Sequence, residues 1–114
     1  MEGKEQSLLY YRTAKDESPV KDWLAGLRDI RTRQKIQARL GQLRLGNFGK
    51  TRAVGSGVVE LKIDFGPGYR VYFARHGDSV VILLCGGNKA SQTKDIRLAH
   101  EYWEHYKARS LAQK

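Results

Sequence analysis

The chain has 114 residues, 40% hydrophobic and 29% charged, with 21 Lys+Arg against 12 Asp+Glu for a net charge of +9. That length fits one domain with a modest core, and the apolar content excludes a disordered chain. The single cysteine, Cys85, excludes an internal disulfide framework and a cysteine-built metal site, so no metal and no cofactor are expected. A basic balance of this size favours an anionic partner: nucleic acid, a ribosome, an acidic protein or a membrane surface. The opening Met-Glu-Gly-Lys-Glu-Gln has no leader character, and the longest apolar run, residues 80–85, is too short to cross a bilayer. A cytoplasmic protein with no membrane partner is the expectation.

In chain order, residues 1–6 are polar and are expected to fray. Residues 7–13 have the composition of an edge strand. Ser18 and Pro19 mark a helix start, followed by Val20, Trp23, Leu24 and Leu27 at the spacing of one helical face. Arg28-Asp29 marks a break. A second helix is expected over residues 30–45, with Ile36, Leu40 and Leu43 on its apolar stripe and Gly46-Asn47 as its stop. The two helices should form a hairpin. The loop over 47–57 includes a possible short strand at 52–54.

Three strands then follow. Val59, Leu61, Ile63 and Phe65 alternate with Val58, Glu60, Lys62 and Asp64; after the turn Gly66-Pro67-Gly68, Tyr69, Val71 and Phe73 alternate with Arg70, Tyr72 and Ala74. Strand side chains alternate between faces, so Glu60, Lys62, Arg70 and Tyr72 should share the face opposite the core. Residues 80–84 are apolar at every position and read as an inner strand covered on both sides. Gly86-Gly87-Asn88 is expected to end the sheet, and Ser91 to cap a last helix with the stripe Gln92, Ile96, Ala99, Trp103, Tyr106. Helices on either side of an antiparallel meander define an α+β fold in one domain spanning 1–114.

Four residues are candidates for chemistry. Arg70 carries a permanent charge able to fork onto two phosphate oxygens, and Lys62 shares its face. Two such cations stabilise a phosphorane as charge develops; a solvated strand face is the competing account. Glu60, on the same face, is a candidate base or a cross-strand partner of the cations. Lys89 stands before a helix N-terminus, where anions are favoured. The sequence Gly-Gly-Asn-Lys is not a P-loop. His100 and His105 are five apart and do not share a face as metal ligands would. Residues 28–52 hold eight cations against one acid, Asp29. Of these Arg31, Arg33, Lys35, Arg39, Arg44, Lys50 and Arg52 are candidate contacts to an RNA backbone.

The blocks Asp22-Trp23-Leu24, Arg39-Leu40, Gly46-Asn47, Glu60-Leu61-Lys62-Ile63, Phe65-Gly66-Pro67-Gly68-Tyr69-Arg70-Val71-Tyr72-Phe73, Leu83-Leu84, Gly86-Gly87, Lys89 and Asp95-Ile96 resemble the addiction-module killer proteins. These are small toxins of the RelE/ParE superfamily, similar to phage-derived and HigB-type members. The resemblance implies a RelE-like fold: an antiparallel sheet with an N-terminal helical hairpin and a C-terminal helix. It implies a type II toxin held by a cognate antitoxin, encoded alongside and DNA-binding. RelE- and HigB-like members are ribosome-dependent, metal-independent mRNA endoribonucleases, so ribosome and mRNA are the implied partners. In them the ribose 2′-OH attacks the adjacent phosphate. Arg70 matches an arginine that many such toxins carry on this strand, Lys62 lies near a basic position, and Lys89 falls where further catalytic groups stand. The stretch 91–98 carries neither tyrosine nor histidine, so the resemblance assigns no acid or base there. The ParE branch, which inhibits DNA gyrase without nuclease chemistry, and a relative that only binds its antitoxin are the alternatives.

Overall fold

The computed structural model describes residues 3–112. The elements are β1 (Ser7–Tyr10), α1 (Pro19–Gly26), α2 (Ile30–Arg44), β2 (Thr51–Ala53), β3 (Val58–Ile63), β4 (Tyr69–His76), β5 (Val80–Asn88), a 3₁₀ turn (Lys89–Ser91) and α3 (Gln92–Ala112). One five-stranded sheet has the order β1-β5-β4-β3-β2. The α+β class is as expected, but the sheet is mixed. Strands β2 to β5 form an antiparallel meander, whereas β1 runs parallel to β5, with Ser7 opposite Val80 and Tyr10 opposite Leu83. Tight turns dictate antiparallel pairing within the meander. No such turn joins β1 to β5, so composition alone left its direction open.

The helix signals hold. The Ser18 hydroxyl accepts from the Lys21 N–H, and Pro19 occupies the first turn of α1. The Asp29 carboxylate accepts from the Arg31 N–H at 2.9 Å, so the break between the helices is the cap of α2. Gly46, at φ +91°, ends α2 in the left-handed region. Helix α1 lies on β5 and α2 on β3. Together they bury Val20, Leu24, Ile36, Leu40 and Leu43 against Leu61, Ile63, Val71, Phe73, Val81 and Leu83.

The other face of the sheet is not left to solvent. Helix α3 covers it, packing Ala99 and Trp103 on Val58, Tyr72, Ala74, Ile82 and Leu84. Strand β5 is therefore buried on both sides, as its unbroken apolar run predicts. A register shift between Tyr72 and Phe73 leaves an extra residue in β5. Leu84 and Cys85 consequently both belong to the α3-side cluster.

Three sequence expectations need correction. Gly86, Gly87 and Asn88 do not break the sheet; they continue β5 and pair with Val71, Arg70 and Tyr69. Their role is close approach. A Cβ on Gly86 would run into the Trp23 ring of α1, and one on Gly87 into the Asp95 carboxylate and Ser91 Oγ at the start of α3. The cap before α3 is Asn88, not Ser91: Asn88 and Ser91 cap each other reciprocally across the 3₁₀ turn. The expectation that residues 1–6 fray does not hold at Gln6, residues 1–2 lying outside the described range. Gln6 is buried, its N–H donates to the Arg44 carbonyl at 2.7 Å, and its side-chain amide donates to the Lys4 and Asp78 carbonyls.

Substitution at two glycines separates close approach from open space. Gly86→Ala should lower the unfolding free energy by about 1–3 kcal/mol through overpacking against Trp23. Gly41→Ala, in the middle of α2 with open space around it, should raise it by about 0.5–1 kcal/mol. Urea denaturation of both variants checks this; equal stability of the two would contradict it.

Candidate functional site

The β3–β4 register sets Glu60 opposite Tyr72 and Lys62 opposite Arg70, and the β2–β3 register sets Arg52 opposite Glu60. The four residues do share one face, as parity requires. That face is nonetheless mostly dry, because the start of α3 lies across it. Glu60, Arg70 and Tyr72 are buried, and of the four only Lys62 stays exposed.

Glu60 is the hub. Its Oε1 accepts from Arg52 Nε at 3.0 Å; its Oε2 accepts from Gln92 Nε2 at 2.8 Å and from the Tyr72 hydroxyl at 3.1 Å. Burial pushes the carboxyl up, but these three hydrogen bonds and the Arg52 charge outweigh it and hold the group below the usual glutamate value. The Tyr72 phenol is driven up by burial first, then by the Glu60 charge and their shared hydrogen bond, so it stays protonated.

Arg70 is placed differently. Its Nε lies 3.5 Å from Glu60 Oε2, close enough for ion pairing but outside hydrogen-bond geometry. Both Nε and Nη1 are buried with no hydrogen-bond partner among the described residues. Buried donors without acceptors cost free energy, so their presence asks for a reason.

Two clefts meet at this guanidinium. One, of about 330 Å³, runs toward β2 between Lys50, Arg52, Glu60, Lys62, Arg70 and Gln92. The other, of about 340 Å³, runs under the Gly66-Pro67-Gly68 turn and includes Lys62, Arg70 and Lys89. Gly66 and Gly68 hold φ +57° and +87°, which fixes the turn; the Lys89 N–H donates to the Gly68 carbonyl at 3.2 Å and ties α3's approach to it. Arg70, Lys62 and Lys89, nominated separately in the sequence, thus line one cleft. Lys50 and Lys62 share Asp64, at 2.6 and 3.8 Å.

The remaining predicted contacts do not make one surface. Arg33 donates to the Leu27 carbonyl and Arg39 to the Asn47 and Phe48 carbonyls, so both guanidiniums brace loops. Arg31, Lys35 and Arg44 are exposed on α2. Arg44 opens onto a different cleft, of about 600 Å³, beside β1. Arg52 and Lys50 belong with the Arg70 group.

Gln92 was not among the expected site residues, and Tyr72 was expected on their face without a part in the chemistry. A glutamine on an otherwise apolar stripe was the available signal for the first. None of the histidines lines the Arg70 clefts. His100 Nε2 donates to the Val54 carbonyl at 2.9 Å, His105 shares a 2.6 Å hydrogen bond with the Tyr11 hydroxyl, and His76 one of 3.1 Å with the Tyr106 hydroxyl. Burial pushes the Cys85 thiol up to about 12, which makes it a small buried hydrophobe and no nucleophile. Among the described residues no group of His, Cys, Asp and Glu could hold a metal ion, and no helix is long and apolar enough to cross a membrane.

The fold and site define a small α+β protein with a basic cleft built on a buried Arg–Glu pair. Residues 22–104 match the family described as "Phage derived protein Gp49-like (DUF891)", and the chain belongs to that family, which lies among the RelE/ParE-like toxins and commonly supplies the toxin of toxin–antitoxin systems. An uncharacterized protein of Haemophilus influenzae (strain ATCC 51907 / DSM 11121 / KW20 / Rd) is 49% identical over 77 residues, 68% of this chain and 78% of that relative.

Proposed function

We propose that this protein is the toxin of a type II toxin–antitoxin pair and cleaves mRNA on the ribosome without a metal. The observation that carries the reading is Arg70: a buried cation with unpartnered donors, set where two clefts meet beside Lys62 and Lys89. A phosphodiester in those clefts meets the positive charge of Arg70, Lys62 and Lys89 together, while Arg70 Nε and Nη1 are themselves closed off from solvent. In the proposed reaction the ribose 2′-oxygen bonds to the adjacent phosphorus as the bond from phosphorus to the 5′-oxygen breaks. The 2′-OH proton is lost, and the leaving 5′-oxygen takes one up. The products carry a 2′,3′-cyclic phosphate and a 5′-hydroxyl. Negative charge grows on the non-bridging oxygens, and Arg70, Lys62 and Lys89 oppose it.

Glu60 fits a positioning role better than that of base. Both its oxygens already accept hydrogen bonds, and a lowered pKa makes a poorer proton acceptor. It holds the arginines in place. The ribosome and mRNA are the proposed partners in action, and an adjacent-gene, DNA-binding antitoxin the partner at rest. A gyrase-binding toxin is the second reading, favoured by the occupied Glu60 oxygens and by the absence of a histidine from the Arg70 clefts.

Expression without antitoxin tests the reading. Wild type should arrest growth with loss of mRNA integrity, and Arg70→Ala should restore growth. Arrest that persists in Arg70→Ala, with intact mRNA and induction of the DNA-damage response, would favour gyrase.

A further inference from the structure

A third cleft, of about 470 Å³, lies between α2 and the end of β3. Its charged lining is Lys35, Arg39, Lys50 and Lys62 against one acid, Asp64, and Phe65 forms part of its wall. It shares Lys50 and Lys62 with the β2-side cleft, and Lys62, Asp64 and Phe65 with the turn-side cleft. Lys62 therefore stands in the wall of all three, and the α2 cleft continues the path that leads to Arg70.

Phe65 sets this cleft apart from a plain basic patch. The side chain packs against the α1–α2 core, and the Lys35 ammonium sits 5.7 Å from the ring centroid. The Lys35 ammonium covers that ring face in the free protein and has to swing aside, toward the phosphate, for a planar group to stack there. A flat ring beside four cations suits a ligand that is both planar and anionic, which is the chemistry of a nucleotide. An acidic peptide would use the cations but not the ring.

We infer that the α2 cleft binds the RNA nucleotide next to the one whose phosphate lies at Arg70, with its base stacked on Phe65 and its phosphate held by Lys35, Lys50 and Lys62. This rests on the RNA reading above and extends it from one phosphate to a strand path. Arg39 adds charge while its donors stay on the Asn47 and Phe48 carbonyls. Asp64 keeps Lys50 and Lys62 in place in the free protein and opposes the incoming phosphate. Its removal should therefore tighten binding.

The test is equilibrium binding of 2′-O-methyl RNA, which this chemistry cannot cleave, to the full chain by fluorescence anisotropy, using two- and four-nucleotide probes. Wild type should bind the longer probe more tightly. Phe65→Leu should lose about tenfold on the longer probe and little on the shorter. Lys35→Ala, an exposed change that leaves the core alone, should reduce the salt slope of log K by about 0.7. Asp64→Asn should bind the longer probe several-fold tighter. If Phe65→Leu, Lys35→Ala and Asp64→Asn all match wild type while Arg70→Ala weakens both probes, RNA occupies the Arg70 site alone and the inference is overturned. If wild type binds neither RNA probe, the inference is overturned, and the RNA reading is then decided by cleavage on programmed ribosomes.

Discussion

Glu60→Gln should destabilise the protein by about 3 kcal/mol at neutral pH, since removing one member of a buried ion pair leaves the other uncompensated. Arg70 and Glu60 are both almost wholly buried, with side chains 8% and 4% exposed. Arg70 Nε and Nη1 have no hydrogen-bond partner among the described residues to fall back on. The pH dependence has a definite sign. The Glu60 carboxyl lies below its ordinary value of 4.5 in the folded chain. Its contribution is therefore complete above about pH 4.5 and is lost as pH falls through the folded value. The stability gap between wild type and Glu60→Gln, measured by urea denaturation, should shrink below that pH. A gap that stayed constant down to pH 3 would mean that Glu60 is not held by its cations.

Arg70→Met should do the reverse: leave stability within about 1 kcal/mol and cut activity by about 10²–10³-fold, the loss expected when a group aimed at developing charge is removed. The asymmetry follows from the network. Without Arg70, Glu60 keeps Arg52, Tyr72 and Gln92, so no buried charge is stranded. The change also removes two buried donors that have no acceptor, a cost the free protein carries. Such a cost is characteristic of a site organised for a ligand rather than for stability. Arg70→Lys should rescue little, because an ammonium cannot reproduce the two-pronged contact. A strongly destabilised Arg70→Met would make Arg70 a structural residue and remove the main support for the proposed function.

Strand parity made the shared face of Glu60, Lys62, Arg70 and Tyr72 legible, but not the pairing register, so that Lys62 stands directly opposite Arg70 is seen only in the fold. What parity does not carry is what lies above the face. The sequence suggests a solvated polar surface, and α3 instead buries Glu60, Arg70 and Tyr72. Two glycines hid this. Read as chain breakers, Gly86 and Gly87 end the strand; in the fold they admit Trp23 on one side and the start of α3 on the other. Gln92 could reach Glu60 only once α3 was seated there. The direction of β1 was unreadable for a similar reason, since nothing local to residues 7–10 selects parallel pairing with β5. The α2 cations were visible as a charge cluster, but their separation into loop braces (Arg33, Arg39) and groove residues (Lys35, Lys50) depends on where the chain turns after Gly46.

The central claim is that Arg70 and its neighbours act on an RNA phosphodiester. The most direct test mixes purified protein with ribosomes programmed with a defined message and maps the 5′ ends of the RNA. The account predicts new 5′-hydroxyl ends within the message when ribosomes are present, and none with Arg70→Met. An intact message with wild type at concentrations that arrest growth, together with trapped gyrase–DNA cleavage complexes, would contradict it.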